Sequence, residues 1–527
     1  MKMQREIGLL GLTFIGVSGV IGSGWLFAPL QAVQLAGPAA ILAWVVGGAA
    51  MFLLALTFAE VSAMLPVAGG LGRLPQFSHG KTVAMVMGWS AWVGYSTTAP
   101  IEVEATLRYL GPHFPALQQA GSNSLSGFGL TFAIAMVGLF TLINYYGVKL
   151  FARINSGLTW IKLVIPVIVI VMLIITSFEP ANFTAAGGFA PHGMQGVFSA
   201  VSSGGVIVSY IGFRHTIDLA GETRNPGFTV PVALLLSVVI CFLVYGGLQL
   251  AFIGALNPAD IANGWDKLNV TGTFGAIGAV ASGLGLLWVA RLINLGAVVG
   301  PFGGALVSVG SNARLSYALG ENGFFPRRVA TLSDRGVPSV ALLLNLVVST
   351  LMFLFIPFEE LLQICGAAVT LSFAVGPVVL LGLRRIDPDR PRPFRVPAGT
   401  LVATAAFAVA TLVIYWGGWD TVWRLGLCLL VGLALFLGRG LKHGLHDLDL
   451  AQAWWLLPYC AGLGLASYCS AYGGIGILPR GLDTILLVAF SVAILFAAAR
   501  RPVSRETYEG YLAEDSAALA PSRQPGH

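Results

Sequence analysis

Residues 13–29 read TFIGVSGVIGSGWLFAP, an apolar stretch of membrane length interrupted at its centre by Gly19, Gly22, Ser23 and Gly24. A helix in lipid must satisfy every backbone N–H and C=O within itself, so a glycine-rich interruption at bilayer depth is tolerated only where protein or a water-filled cavity surrounds it. The freed backbone groups then face a ligand. A half-helix that starts at such an interruption aims N–H groups and a positive dipole end at an anion, the arrangement by which many secondary transporters hold a substrate carboxylate at the bilayer midplane.

Working outward, the chain has 527 residues, 56% of them hydrophobic and only 10% charged. Soluble globular domains carry about 25% charged residues, so this composition predicts a polytopic membrane protein. Apolar runs of about 18–25 residues fall near 7–33, 38–64, 82–108, 127–147, 152–176, 196–222, 230–254, 276–308, 337–356, 361–383, 400–416, 421–438, 453–472 and 482–499. The expectation is therefore an all-α protein of about 14 transmembrane helices. With both termini placed in the cytoplasm, most of the 29 Lys and Arg fall on inner loops, and the outer side keeps only Arg108, Lys267, Arg424 and Arg480. This asymmetry follows the positive-inside rule and predicts a multi-pass protein of the plasma membrane. The net charge of +6 is then a consequence of topology and implies no nucleic-acid partner. The first apolar stretch is too long for a signal-peptide core and is read as a retained helix.

A second interrupted span lies at 196–222, where Gly204 and Gly205 soften the first half and Gly212 marks the expected break. It follows the first by five spans. Two broken helices in the first and sixth positions are what a five-plus-five inverted repeat produces, each repeat contributing its break to one shared site. On this reading residues 1–385 form a transport core, with repeats at about 7–176 and 196–385. Residues 386–499 supply four peripheral helices, and 500–527 a cytoplasmic tail.

Other features match by order and spacing. They are Gly22-Ser23-Gly24 with Trp25-Leu26-Phe27, Ala59-Glu60 followed by Pro66 and Gly69-Gly70, Lys162 with Pro166, and Gly212-Phe213 followed by Glu222-Thr223-Arg224-Asn225-Pro226. Asn312-Ala313-Arg314 through Tyr317-Ala318-Leu319, Gly323 and Pro326, and the loop Arg392-Pro393-Phe394-Arg395-Val396-Pro397 complete the set. Through these the chain resembles the amino acid–polyamine–organocation (APC) superfamily of permeases, and within it the fourteen-span aspartate–proton symporter type. The resemblance implies the ten-helix core of the leucine-transporter (LeuT) fold, an amino acid substrate and proton coupling, with no cofactor. It also implies that the fifth-span lysine of proton-coupled members, here Lys162, alternately bears and releases the coupling proton. Many relatives carry an acidic residue directly after the Gly-Phe pair, whereas this chain has Arg214.

The residues suggest roles of their own. Backbone N–H groups of Ser23 and Gly24, with Gly22 beside them, suit a substrate carboxylate, and carbonyls near Gly19 and around Tyr210 to Gly212 suit its ammonium. The alternative is that these glycines only permit close helix packing. Lys162 lies ten residues into its span, about 15 Å deep, where a permanent charge is costly. It serves either as the proton carrier or as a structural cation bonded to carbonyls of the first helix. Arg214 and Arg291 are both placed near mid-membrane by this reading. Either could hold a second substrate carboxylate bidentately, or each could be neutralised internally, Arg214 by Asp218 and Arg291 by Glu102 or Glu104. Trp25, Tyr210 and Phe213 are candidates for an aromatic gate or for packing. Glu60, Glu222, Arg224 and Arg314 are candidates for cytoplasmic ion pairs or solvated ends.

Other chemistries lack their parts. There is no HExxH, GxSxG, P-loop or CxxC, so hydrolysis, ATP-driven transport and thiol chemistry are not expected. The five cysteines lie in or at the ends of spans and read as small packed hydrophobes. His443, His446, Asp447 and Asp449 read as a polar loop rather than a metal site. An ion channel would repeat a pore element rather than place two unlike breaks five spans apart. A secondary carrier for an acidic amino acid is the leading expectation. A neutral amino acid symporter or an exchanger of the same fold is the alternative, and the oligomeric state is left open.

Overall fold

The computed structural model describes residues 5–67, 69–119, 124–146, 148–270, 275–443, 449–479 and 481–519. Among them there is no strand beyond two isolated bridges, Ile7 with Thr223 and Gln118 with Leu125. The elements that position the site are α1 (Leu9–Val20), α2 (Gly24–Ala36), α3 (Ala40–Met64), α4 (Gln76–Leu110) and α5 (Val148–Thr176). They continue with α6 (Gly193–Ser202), α7 (Arg214–Asp218), α8 (Pro226–Ala255), α9 (Leu287–Glu321), α10 (Phe358–Phe373), α11 (Val375–Ile386) and α12 (Arg505–Leu519).

Among the described residues nine helices are long and apolar enough to cross a membrane, or ten if the bent pair around Ser202 to Val206 counts as one span. The expected first span is divided at its glycines into α1 and α2, each too short alone. The expected eighth span is likewise divided, Gly275–Gly283 preceding α9 with a turn between. Gly127–Tyr145 turns Phe128, Phe132, Leu139 and Leu142 outward, and Gly418–His443 does the same with Leu427, Leu430, Val431 and Leu435. Such apolar ribs would be untenable in water and mark faces that meet lipid. The chain is a multi-pass membrane protein.

The centre is α1, apolar on every side and buried from Leu12 to Ser18. A helix without a polar face belongs inside. It packs against α5, α8, α9 and the 3-10 turn Ile211–Phe213, while α3 lies along α8 and α4 lies between α9 and α10. At the base of α4, Gly80 takes φ +80° and ψ 178°, a conformation that glycine adopts cheaply. The helix restarts at Lys81, whose N–H donates to Asp449 Oδ2 at 2.9 Å, and the Tyr511 hydroxyl of α12 donates to the same oxygen at 2.6 Å. Burial, and then the Asp449 carboxylate, raise the Tyr511 pKa above its ordinary value. Asp449 thus caps a helix; His446 and Asp447 lie outside the described residues.

Candidate functional site

The first break is short. Between α1 and α2 only Ile21, Gly22 and Ser23 intervene: Ile21 N–H still makes the last helical bond, to Val17 O at 2.8 Å, and Gly22 N–H turns back to Val20 O at 2.9 Å. Carbonyls at this end of α1 have found donors from distant helices. Lys162 Nζ donates to Ser18 O at 2.7 Å and to Ser18 Oγ at 3.0 Å, and the Tyr245 hydroxyl donates to Val20 O at 2.7 Å. On the α2 side the Ser23 N–H donates to Glu102 Oε2 at 2.7 Å. A protein carboxylate therefore already sits on the half-helix start where the sequence places a substrate carboxylate.

None of Gly19, Gly22 and Gly24 takes a positive φ; they are required by what approaches them. A Cβ on Gly19 would fall on the His215 ring, one on Gly22 on the Glu102 carboxylate and one on Gly24 on the Ser209 hydroxyl. A Cβ on Gly212 would collide with the Gly19 and Val20 backbone. The two interrupted regions are in backbone contact, which only residues without side chains allow.

The second interruption differs from expectation in position. The chain bends by 45° between α6 and the segment Val206–Asp218, and the hinge is Ser203 to Gly205, with Gly205 in the left-handed region at φ +81°. Gly212 instead sits in the 3-10 turn Ile211–Phe213, which tightens the helix without breaking it. Left-handed backbone is what demands glycine at 205; at 212 the demand is the contact with Gly19.

Between the breaks lies a cavity whose polar lining includes Ser23, Thr98, Glu102, Ser209, Arg214 and Cys365, with Gly19, Gly24 and Gly212 in its wall. It runs along α2 to Gln31 and to Phe27 and Phe358, whose rings stand 6.1 Å apart. Behind that end Arg108 lies over the Phe358 ring at 4.1 Å and pairs with Glu104 at 3.2 Å and Glu359 at 2.9 Å.

Arg214 is fully buried. Its Nη2 donates to Thr98 Oγ1 at 2.6 Å and its guanidinium lies over the Tyr95 ring at 3.8 Å, yet Nε and Nη1 have no hydrogen-bond partner among the described protein residues. The Asp218 pairing offered by the sequence is not made: Asp218 Oδ2 accepts from the Tyr95 hydroxyl at 2.8 Å, so Tyr95 stands between the two charges. A buried guanidinium with two idle donors is costly unless something fills them.

The remaining residues separate clearly. Lys162, on α5, is buried against α1, in a place compatible with both roles given to it. Arg291 is the fifth residue of α9, exposed, and does not reach the cavity; Glu104, one of its expected partners, pairs with Arg108 instead. Tyr210 packs edge-on to Trp44 and Tyr245 at 5.7 Å, and Phe213 stacks on Phe373 at 4.7 Å, so neither lines the cavity. Trp25 is buried against Gly296 and Gly300. At the N-terminal end, Arg314 pairs with Glu222 at 2.6 Å, and Glu60 with Arg384 at 2.6 Å and Arg392 at 3.1 Å; Arg224 is exposed. Glu102, Thr98, Tyr95 and the Phe27–Phe358 pair were missed as site residues by sequence reasoning. The one signal was Glu102 itself, a carboxylate after Pro100 in a span.

Comparison with known proteins agrees with this architecture. A family model described as amino acid permease matches residues 7–435. The glutamate/serine transporter AimA of Bacillus subtilis (strain 168) is 32% identical over 511 residues, covering 93% of each chain. The aspartate-proton symporter of the same organism is 34% identical over 505 residues, covering 94% of this chain and 96% of that one. The branched-chain amino acid permease BcaP of that strain is 26% identical over 453 residues, 84% of this chain and 94% of its own.

Proposed function

The chain belongs to the amino acid permease family, and from that premise we propose that it is a proton-coupled carrier taking up an acidic amino acid, aspartate or glutamate, by alternating access. The observation that carries the substrate assignment is Arg214, whose Nε and Nη1 are buried without partners among the described protein residues, in the lining of the cavity. A side-chain carboxylate meets a guanidinium bidentately and fills both idle donors. The α-carboxylate takes the N–H groups at Ser23 and Gly24, and the ammonium lies toward the carbonyls near Gly19 and the Tyr210 to Gly212 turn. The printed functions of two relatives, one for glutamate and serine and one for aspartate with protons, support the same choice.

Lys162, bonded to Ser18 on α1, is the proposed site through which the coupling proton acts. No cofactor beyond the proton is invoked. Backbone contact between Gly19 and Gly212, and the pairing of α3 with α8, support a five-plus-five repeat of the LeuT type. In that scheme the core is 1–385, the helices of 386–499 are peripheral and 500–527 is a tail. Both termini are assigned to the cytoplasm of a bacterial plasma membrane. The Glu60 and Glu222 ion pairs then hold the cytoplasmic side shut, and the cavity leads outward past Phe27 and Phe358.

One observation favours a second reading. Glu102 brings a carboxylate into the same cavity and, while ionised, repels an anionic side chain, which suits a neutral amino acid. Uptake of radiolabelled aspartate into proteoliposomes under an imposed pH gradient, competed in turn by the twenty amino acids, separates the two. Aspartate and glutamate compete best if the proposal holds; alanine and leucine compete best if the neutral reading does.

A further inference from the structure

Among the described residues Glu102 is the one carboxylate in the cavity lining. Its Oε2 accepts the Ser23 N–H at 2.7 Å, and among the described residues it has no ion pair. Gly22 lies where any side chain would displace it, and on α9 a Cβ at Gly304 would stand 3.2 Å from its carboxyl carbon, so two glycines make room for it. Its neighbour Glu104 turns away to Arg108. The charged and titratable groups facing this region are Lys162 on α5, Arg214 and His215 on α7, Cys241 and Tyr245 on α8, and Cys365 on α10. Lys162 Nζ spends its hydrogen bonds on Ser18, and Arg214 donates to Thr98.

We propose that Glu102 is an internal ligand that fills the carboxylate site when no substrate is bound, and that its displacement ties proton uptake to substrate binding. This rests on the reading of the first break as the carboxylate site. Two carboxylates cannot share one N–H at a half-helix start, because each needs the same donor and they repel one another. When the substrate carboxylate takes the Ser23 N–H, Glu102 swings into a cavity walled by Val20, Phe27 and Ile101, where an unpaired ion is costly. It therefore leaves as the acid. An O–H bond forms on Glu102 as a hydronium ion on the side to which the cavity opens gives up its proton and becomes water. When substrate departs on the other side, Glu102 returns to the Ser23 N–H and that proton is released there, one per substrate. Glu102 acts by competing for a backbone donor, and the proton it takes up is the coupling proton itself; Lys162, held on Ser18, is the neighbouring charge through which that proton acts.

The test uses purified full-length protein in proteoliposomes, with L-aspartate and L-glutamate as probes. For a one-proton exchange, apparent affinity of the parent, compared in buffers at about pH 7.5 and about pH 5.5, tightens as the pH falls, by at most about tenfold per unit. In Glu102→Gln this pH dependence disappears, gradient-driven accumulation is lost, and counterflow exchange continues. Gly304→Ala, which crowds the carboxyl group and leaves its proton chemistry intact, guards against a misfolded Gln variant and tightens binding at the higher pH. If Glu102→Gln accumulates substrate like the parent and keeps its pH dependence, the inference is overturned while the permease site stands. If the parent binds no amino acid at either pH, the carboxylate site itself is overturned and this inference goes with it.

Discussion

Replacing Arg214 gives the sharpest account of substrate choice. Its guanidinium has one hydrogen bond within the protein, to Thr98 Oγ1 at 2.6 Å, and the face of Tyr95 at 3.8 Å, leaving Nε and Nη1 without a protein partner. An acidic side chain supplies acceptors for those donors, and hydrogen bonds between charged groups contribute about 1.5–3 kcal/mol. Loss of that interaction in Arg214→Gln corresponds to a weakening of roughly 10- to 150-fold for aspartate. Binding of serine or alanine, which present no second carboxylate for Arg214 to hold, changes by less than about threefold, under about 0.7 kcal/mol. Arg214→Lys keeps the charge but cannot grip both oxygens, so it falls between parent and Gln. The assay is the concentration dependence of aspartate and serine uptake in proteoliposomes, with melting temperatures in detergent to confirm that the variants fold. Equal losses for aspartate and serine would refute the reasoning, because they would make Arg214 a structural cation rather than a reader of the substrate side chain.

Three further outcomes follow from the geometry. Lys162→Ala removes the donor held 2.7 Å from Ser18 O; pH-driven accumulation is lost while exchange of bound substrate persists, and full accumulation would remove Lys162 from coupling. Gly24→Val abolishes binding without preventing membrane insertion, since a side chain there collides with Ser209; this is read by ligand-induced thermal shift against expression level, and parent-like binding would move the carboxylate site elsewhere. Glu60→Ala strands Arg384 and Arg392 around a site where Glu60 is 1% exposed and also accepts the Val396 N–H at 2.7 Å. Breaking such a buried pair costs about 3–5 kcal/mol, seen as a lowered melting temperature, whereas an unchanged value would make the cluster dispensable.

The fold was legible where the physics is local. Glycines at 19, 22 and 24 announced a break because lipid leaves the backbone no other partner, and long apolar runs announced the helices. The second break was placed seven residues late because a sequence does not distinguish a glycine needed for left-handed backbone, Gly205, from one needed for contact, Gly212. Arg291 was placed at mid-membrane because the turn dividing Gly275–Gly283 from α9 restarts the count. Glu102 was seen as a buried charge but given the wrong partner. Its true contact, Ser23, is 79 residues away, and such separations are set by packing. The Arg214–Asp218 spacing suggested an i,i+4 pair, but Tyr95 comes between them from a different helix. For the aromatics the sequence left gate and packing open: Tyr210 and Phe213 have packing partners inside the core, whereas Phe27 and Phe358 stand 6.1 Å apart in the cavity lining, brought together from distant parts of the chain.

The measurement that bears most directly on the central claim is uptake of radiolabelled L-aspartate by proteoliposomes in which an inward proton gradient is imposed without sodium. The account predicts concentrative uptake that collapses when a protonophore dissipates the gradient and that excess glutamate suppresses while excess leucine does not. Uptake that requires sodium, or that leucine suppresses and glutamate leaves untouched, would contradict it.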